Sequence, residues 1–561
     1  MSVEESLNET HIYGRSLISS TLSFEGHHYL SYFYDDHDQE KREDFQKAII
    51  TALENWQMDK DKRQVLKLPC YDLVSLDPRI GGDQESSAII KLLFDGLMRI
   101  NSEGKPECSM CEGYTISEDK KQYIFKIRKT YWSNGSRLIA YDFEYAWKKV
   151  LSPEFSTPFA YVFYPIKNAK TAKKGAISLD EVGVKAEDDN TLIVDLENPT
   201  PHFIELTANT LYSPVNHVVD KMHPNWATPK GEHFVCNGPF HQCVTSSNFF
   251  CELTKNKYYW NGKNIKIDSI LFTLVRGRAA ISMMKRNRLD CLGVNLVNFD
   301  DIKDEDLKEK ASFYPLNKIS WQCFNLECYP FNNKKLRFAL SMAITRKEII
   351  QLFPMPKKRE PAYTPLPYGL TQHFGSDILI QENQKLAKKY FKEALEELGI
   401  HLDDFPIIYL SSTVQDKKVS EIFKSQWEKA FGIRCEVEVS NWKDHFRKMT
   451  TGEFQVGGMH WASWLNDPIY TLQAFKYRDE KVNFTGWEDI EFQKLLDLSD
   501  QTTDLEKRKK YLADAEKILI QNGVVIPICY NMGWFIKNPS LILNLASCNG
   551  SVDFSQAYFK R

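Results

Sequence analysis

Two small groups of residues have types and spacings suited to metal or redox chemistry. Two residues separate Cys108 from Cys111, and thiolates at this spacing can share a metal or form a redox pair. The second group mixes imidazoles and carboxylates in a polar stretch: His27, His28, His37, Asp35, Asp36 and Asp38. No second Cys-x-x-Cys and no His-x3-His completes a zinc site, so we interpret the cysteines as a structural or incidental pair and the histidines as a solvated loop. We therefore predict no metal and no cofactor.

The sequence contains no motif for hydrolysis of a nucleotide, an ester or a peptide. A phosphate loop GxxxxGK[ST], a GxSxG elbow and an HExxH helix are all missing. A Ser/His/Asp triad that is assembled in space leaves no pattern in the sequence, and no residue of this sequence indicates one. Catalysis is therefore not expected.

The stretch GGMHWASWLNDP, residues 457–468, has a composition suited to binding. Trp461 and Trp464 stand three residues apart between a glycine pair and an Asn-Asp-Pro turn. The chain is 13% aromatic, which suggests aromatic-lined surfaces as well as cores. Its net charge of -3 favours neither a nucleic-acid groove nor an anionic membrane surface, and no apolar window of ~18 residues predicts a membrane span. Ligand recognition must therefore depend on a local group of residues and not on the overall charge.

The elements that must position these residues form a mixed α/β pattern. Strands are predicted at 122–128, 191–197 and 320–327, and a turn at Ser133-Asn134-Gly135 closes a hairpin-like connection. Helices are predicted at 141–151 and 332–353, where Asn332 can cap the start, and Gly399 ends another helix. Strands that alternate with helices favour a largely parallel sheet, and 561 residues imply two or three lobes.

From about Gln64 to the C-terminus the order of segments resembles the peptide-type solute-binding proteins of ABC importers, solute-binding protein family 5. The matching segments include VSLDP at 74–78, LLFDGLMRI at 92–100, YWSNGSRLIAYDFEYAWKKVLSP at 131–153, CNGPF at 236–240, NKYYWNG at 256–262, FNNKKLRFALSMAITRKEII at 331–350, PAYTPLP at 361–367, Trp461 to Pro468, and VVIPICY at 524–530. Each match is weak alone. Their shared order makes the resemblance specific.

The resemblance implies an α/β fold of the two-lobed, type II periplasmic-binding-protein kind, with an extra domain in the first lobe and a pear-shaped, three-domain outline. The implied parts are an N-terminal extension of unknown role at 1–60, a lobe 1 core at 61–90, 217–318 and 533–561, an extra domain at 91–216, and lobe 2 at 319–532. Closure of two lobes around a ligand lets a membrane partner distinguish loaded from empty protein.

The implied function is capture of a peptide or peptide-like solute and its delivery to an ABC permease, without chemistry. The resemblance also implies a monomer that binds no nucleic acid and acts in the periplasm or cell envelope. Two alternatives stay open. The solute can be a metal chelate, a cell-wall fragment or a sugar; or the protein is a non-transporting intracellular binding protein, which the lack of a visible signal peptide favours.

In the family, the ligand backbone pairs with protein strands, and residues 457–463 align with such a strand. The residues expected to contact ligand are Trp461, Trp464, Ser463, Ala462, Gly458, Asn466, Asp467, Phe159, Tyr161, Gly81, Trp442 and Tyr530. The two tryptophans are expected to supply apolar cleft wall. Simple packing is an equal alternative for five of these residues: Trp464, Phe159, Tyr161, Trp442 and Tyr530.

The chain departs from the family pattern at charged positions. Many peptide binders of the family carry an Asp where this chain has Trp464, and that Asp holds the free amine of the ligand. Gly458 stands where a basic residue is frequent, Gly81 where an acid is, and Phe159 lacks a hydroxyl. An indole attracts a cation by only ~0.5–2 kcal/mol. We therefore expect a more apolar ligand, such as a blocked peptide, with Asp467 or Asp416 as a replacement acid.

Overall fold

The structure is a computed structural model that describes residues 7–12, 15–24, 27–30 and 64–560, except 71–74, 81–83, 102, 229–232, 243–249, 276, 294–296, 298, 354–358, 369, 371–379, 464 and 545–551. The chain divides into two compact units, Met1–Lys62 and Arg63–Arg561. The first unit contains an antiparallel sheet of β1 (Leu7–Ile12), β2 (Arg15–Phe24) and β3 (His27–Leu30). The side chains of the predicted His/Asp group lie outside the described part. No helix among the described residues is long and apolar enough to cross a membrane.

The second unit mixes short and long elements along its whole length. Its strands are β4 (Val65–Cys70), β5 (Met98–Ile100), β6 (Pro106–Cys108), β7 (Cys111–Ile116), β8 (Gln122–Ile127), β9 (Thr130–Tyr131), β10 (Arg137–Leu138), β11 (Val184–Asp188), β12 (Thr191–Asp195), β13 (Phe240–Gln242), β14 (Phe250–Lys255), β15 (Ser269–Leu274), β16 (Cys291–Gly293), β17 (Ser312–Phe324), β18 (Ile408–Thr413), β19 (Cys435–Ser440), β20 (Val456–Ala462), β21 (Val525–Lys537), β22 (Leu541–Asn544) and β23 (Asp553–Phe559). Its α-helices are Gln84–Leu93, Ala140–Leu151, Ala169–Lys173, Phe203–Leu206, His217–Met222, Gly277–Lys285, Glu305–Glu309, Lys334–Met342, Arg346–Ile350, Gln384–Leu398, Lys417–Phe431, Trp442–Thr451, Pro468–Gln473, Ile490–Gln501 and Leu505–Asn522.

Two four-stranded sheets occupy the first half of this unit. One has the order β13-β14-β15-β4, in which only the β15 and β4 pair is parallel, and the other is the antiparallel sheet β11-β12-β8-β7. Helix Ala140–Leu151 packs on the second sheet through buried residues that include Phe143 and Trp147. The predicted strands at 122–128 and 191–197, the helix at 141–151 and the hairpin at Gly135 are confirmed.

The largest sheet has the order β16-β21-β17-β20-β18-β19. The prediction of a largely parallel sheet is wrong for it, because only the pairs β18 with β19 and β18 with β20 are parallel. Strands β17 and β21 are long and antiparallel, and β20 is antiparallel to β17. Alternation of strand and helix holds only locally, where helices Gln384–Leu398 and Lys417–Phe431 precede β18 and β19. The parallel pairs are confined to that region.

Strands β17 and β21 cross from one lobe to the other. Ser312–Pro315 pair with Met532–Phe535, and Ile319–Cys323 pair with Val525–Tyr530, with a register shift between the two segments. The first segment joins β16, and Asp290 beside β16 donates its backbone N–H to Lys67 O on β4 at 2.8 Å. The second segment pairs with β20. Two paired strands with an irregular middle therefore connect a lobe built on β4 to a lobe built on β18 to β20.

Helices cover the β18 to β20 lobe with a core of its own. Leu336, Leu340 and Ile344 pack there with Trp427 and Val456. The single helix predicted at 332–353 is split into Lys334–Met342 and Arg346–Ile350, because Thr345 adopts an extended conformation that begins the second helix. The cap of the first helix is Asn333, one residue after the predicted Asn332. Gly399 has φ +66° and ends helix Gln384–Leu398 as predicted.

Candidate ligand-binding cleft

Strand β20 carries the segment singled out in the sequence, and its side chains alternate between two faces. Met459 and Trp461 are buried, whereas Gly458, His460 and Ala462 are half-buried. The Trp461 ring stacks on Trp321, with centroids 5.5 Å apart and an interplanar angle of 13°. Its Nε1 donates a hydrogen bond to Thr471 Oγ1 at 3.0 Å. Trp461 is therefore a core residue in this structure, on the face opposite His460.

The backbone of β20 has one paired edge and one open edge. Ser463 donates its N–H to Asn317 O at 2.7 Å, next to the register pairs of β20 with β17. In an antiparallel ladder, the backbone N–H and C=O groups of successive residues are directed alternately toward and away from the partner strand. The backbone groups of Trp461 therefore bond to β17, and those of His460 and Ala462 are directed away from it. On that side β18 pairs with β20 only at Val456 and Gly457. Among the described residues, no strand pairs with the open edge formed by His460 and Ala462.

A polar network lies beside this open edge. His460 Nδ1 is 2.8 Å from Ser320 Oγ, and His460 Nε2 is 3.3 Å from Asp416 Oδ1. Thr413 Oγ1 donates to Asp416 Oδ2 at 2.8 Å. Burial opposes ionisation of Asp416, but His460 and the Thr413 hydrogen bond outweigh it and lower the pKa of Asp416 to about 2. Asp416 is therefore an ionised carboxylate at neutral pH.

The network continues across the neighbouring strands to a guanidinium group. Asn531 Nδ2 on β21 donates to Ser320 Oγ at 3.0 Å, and Arg359 Nη1 donates to Asn531 Oδ1 at 2.5 Å. The Arg359 guanidinium also lies 4.9 Å from the centroid of the Phe353 ring. Phe353 in turn meets the edge of the His460 ring at 6.2 Å. A line of polar and charged groups thus runs from Asp416 to Arg359.

Asp467 at the other end of the segment is part of a buried ion pair. Arg508 donates from Nη1 to Asp467 Oδ2 at 2.7 Å and from Nη2 to Asp467 Oδ1 at 3.0 Å. The two side chains are only 10% and 15% exposed. Burial opposes the charged form of Asp467, but Arg508 keeps its pKa below the usual value. Asp467 is therefore fully engaged inside the protein.

The same cluster connects the turn after β20 to helix Phe203–Leu206. Asn466 donates its backbone N–H to Glu205 Oε1 at 2.9 Å. Arg508 Nη2 lies 3.4 Å from His202 Nδ1, and His202 is 4.0 Å from Asp500 Oδ1. Asn466 and Asp467 thus act as structural anchors between distant parts of the chain.

The remaining aromatic candidates fall in different places. Tyr161 is buried and its ring lies 6.1 Å from Tyr470, which is 5.9 Å from Trp461, so the structure brings Tyr161 and Trp461 into one aromatic cluster. Phe159 is half-buried nearby.

Trp442 and Tyr530 lie apart from that cluster. Trp442 begins helix Trp442–Thr451, is 46% exposed and contacts His445, whose Nε2 is 2.8 Å from Gly458 O. Tyr530 is half-buried on β21 against the edge of Tyr368. Gly81 and Trp464 lie outside the described residues.

Sequence reasoning missed His460, Ser320 and Arg359, and considered Asp416 only as an alternative. The period of two along β20 was a usable signal, because it places His460 on the same face as Gly458 and Ala462. The contacts with Ser320 and Arg359 depend on strand pairing between remote segments. They leave no local pattern in the sequence.

Comparison with known proteins agrees with this architecture. The model of the bacterial extracellular solute-binding proteins, family 5 Middle, matches residues 105–483. The oligopeptide-binding protein OppA of Bacillus subtilis (strain 168) is 34% identical over 495 residues, 87% of this chain and 91% of that relative. The dipeptide-binding protein DppE of the same organism is 29% identical over 467 residues, 81% of this chain and 84% of that relative.

Among solved structures, the substrate-binding domain of an oligopeptide ABC transporter from Bacillus anthracis has a TM-score of 0.77 at 26% identity, covering 89% of this chain and 99% of that one. The expected two-lobed fold is thereby confirmed. The chain belongs to the bacterial extracellular solute-binding proteins of family 5.

Proposed function

We propose that this protein is the substrate-binding subunit of an ABC importer, which captures a peptide between its two lobes and delivers it to a membrane permease. The observation that carries the proposal is the open edge of β20, where His460 and Ala462 direct backbone donors and acceptors away from β17. An extended peptide can add to such an edge as a further strand, and its side chains then alternate between pockets. The names of the peptide-binding relatives support the same ligand class.

Recognition of charge in this site falls to Asp416 and not to Asp467. Asp467 already binds Arg508 through both carboxylate oxygens, whereas Asp416 is ionised and lies beside the open edge. A cationic group of the ligand therefore meets the Asp416 carboxylate. Trp464 and Gly81 remain part of the proposed site, with Trp464 as apolar wall. The backbone of Trp461 pairs with β17, and its ring supports the strand from behind.

The proposed domain boundaries are those of the family. Lobe 1 consists of 61–90, 217–318 and 533–561 with an extra domain at 91–216, and lobe 2 of 319–532. In this division the hydrogen bond from Asn466 to Glu205 joins lobe 2 to the extra domain. We further infer a monomer that works in the periplasm or cell envelope, where a permease can reach it, and a role in binding without catalysis.

The test is a scan of backbone N-methyl groups along a bound peptide. Ligands retained by the purified chain are first released and identified by mass spectrometry, and one peptide is then resynthesised with a single N-methyl group at each position in turn. Strand addition uses the N–H groups of every second residue, so alternate positions should lose affinity about 2- to 10-fold in titration calorimetry, as expected for one hydrogen bond each.

Three outcomes would contradict the proposal. An equal loss at all positions would mean that the peptide is held by its side chains and shape. Release of a single non-peptide species would assign another solute, and failure to bind any peptide would favour a non-transporting protein. A control peptide with a methyl group on its C-terminal amide separates steric effects from lost hydrogen bonds.

A further inference from the structure

The Cys108 and Cys111 pair is held in contact by the fold. Cys111 Sγ lies 3.2 Å from Cys108 Sγ, at the turn that leads from β6 into β7. Cys108 is partly exposed, whereas Cys111 is buried. Cys111 Sγ is also 3.6 Å from Met98 Sδ. The contact thus joins a partly exposed residue to a buried one.

The backbone around the two cysteines is fixed by hydrogen bonds that do not involve the sulfur atoms. Ser109 and Cys111 donate their N–H groups to Leu97 O at 2.9 and 3.2 Å, and Met110 donates to Gly96 O at 3.2 Å. Ser109 Oγ donates to Asp95 Oδ2 at 2.8 Å. Formation of a bond between the sulfurs therefore requires only a small movement of two side chains, since a disulfide needs a separation of about 2 Å.

The surroundings of the two thiols differ, and this difference gives them different roles. Burial raises the pKa of the Cys111 thiol, and its contact with Cys108 raises it further. Arg128 donates from Nη2 to Cys111 O at 3.3 Å and partly opposes this effect. Cys111 is therefore a poor first nucleophile toward an external oxidant, and the accessible Cys108 takes that role.

We propose that Cys108 and Cys111 form a reversible disulfide when the protein meets a small disulfide oxidant. In the first step Cys108 Sγ attacks the oxidant RSSR, which breaks the S–S bond, releases one RSH and leaves a mixed disulfide on Cys108. In the second step Cys111 Sγ attacks Cys108 Sγ and displaces the second RSH. The two thiols lose two electrons and two protons, and the oxidant gains them as two RSH molecules.

The test uses the purified full chain with oxidised glutathione. After incubation, free thiols are blocked with N-ethylmaleimide with and without prior reduction, and peptides are analysed by mass spectrometry. The peptide that contains residues 108–111 should be lighter by two hydrogen atoms and should take up N-ethylmaleimide only after reduction. Cys328 is a matched control, because it is also partly exposed but its thiol donates to Phe454 O at 3.5 Å.

A second variant separates the two steps. Cys111→Ser removes the resolving thiol, so glutathione should accumulate on Cys108 at a level at least tenfold above that of the wild-type chain. Two results would overturn the proposal: wild-type protein that keeps glutathione on Cys108 beside a free Cys111, or a wild-type pair that still alkylates fully after oxidation. Cys328 should behave alike in both proteins, which shows that the substitution has not exposed thiols generally.

Discussion

The two ends of the segment from Gly457 to Pro468 differ in how they use their charged residues. At the far end Asp467 is neutralised by Arg508 in a buried, bidentate pair. At the near end Asp416 and His460 are 23% and 29% exposed and are linked by one longer contact of 3.3 Å. Buried pairs are costly to disrupt, whereas partly exposed polar groups remain able to exchange partners.

This difference assigns separate tasks to the two ends of this short segment. The Asp467 end holds the turn against helix Phe203–Leu206 and helix Leu505–Asn522, and so determines where β20 ends. The Asp416 end lies beside the open edge, where a ligand strand can add. Substitutions at the first end should change stability, and substitutions at the second should change affinity.

The largest effect is expected from Arg508→Met. It leaves the Asp467 carboxylate buried without its partner, which typically costs about 3–5 kcal/mol in the free energy of unfolding. Urea denaturation measures the change. The control is Arg478→Met, whose exposed pair with Glu327 should contribute no more than about 1 kcal/mol. Equal, small losses in both variants would show that the Asp467 pair is not an anchor.

The pH dependence of stability tests the same buried cluster. Burial lowers the pKa of His202 to about 4 and raises the pKa of Asp500 to about 7. Between pH 4 and 6.5 the unfolded chain binds a proton at His202 that the native protein does not, so His202 makes stability fall on acidification. Over the same interval native Asp500 keeps a proton that the unfolded chain releases, so it makes stability rise on acidification.

The opposing dependences of His202 and Asp500 should nearly cancel in the wild-type protein. Arg508, Asp467, Lys476 and Asp497 complete the charged surroundings of Asp500. Asp500→Asn removes the pH dependence of stability that Asp500 contributes and leaves that of His202. The variant should lose up to about 3 kcal/mol in the free energy of unfolding relative to wild type when the pH falls from 6.5 to 4, because the destabilisation caused by His202 is no longer offset. Parallel stability curves for the two proteins would contradict the assignment.

The glycine pair at the start of β20 provides a matched comparison. A Cβ at Gly457 would lie 2.9 Å from Met449 Cε and 3.2 Å from Phe454 Cδ2, whereas a Cβ at Gly458 meets nothing nearer than Gln322 Nε2 at 3.4 Å. Gly457→Ala should therefore cost about 1–3 kcal/mol through overpacking, and Gly458→Ala should cost less. Thermal unfolding of the two variants measures the difference. A reversed order would mean that the two faces of β20 are assigned wrongly.

The sequence allowed prediction of features that depend on neighbouring residues. Gly399 ends a helix, and Gly135 closes a hairpin. The order of family segments was sufficient for the two-lobed fold. The mixed sheet was not predicted, since the pairing of β17 with β21 joins segments that are remote in sequence.

The candidate site was also only partly predictable, because its contacts join segments that are remote in sequence. Alternation along β20 divides its side chains into two sets but does not say which set is buried. Trp461 was expected on the cleft wall, and its position in the core depends on the stacking partner Trp321 from β17. Asp467 and Asp416 were equivalent as replacement acids until Arg508 was found beside the first of them.

The smallest expected effect concerns the partly exposed pair of Asp416 and His460, and it decides whether that pair contacts the ligand. His460→Ala removes the contact with Asp416 and alters the surroundings of the open edge, and Asp416→Asn removes the charge itself. Asp416→Asn should bind a peptide with a free amine or basic side chain about tenfold more weakly, as expected when one charge-assisted hydrogen bond is lost. His460→Ala should weaken the same binding less, because the Asp416 carboxylate remains. Affinity for the same peptide with acetylated amines should change less, because no cation then faces Asp416.

The matched control is His401→Ala, which replaces an exposed histidine at the start of a short turn. If the charged and acetylated peptides lose affinity equally, the Asp416 and His460 pair supports the strand and does not contact the ligand.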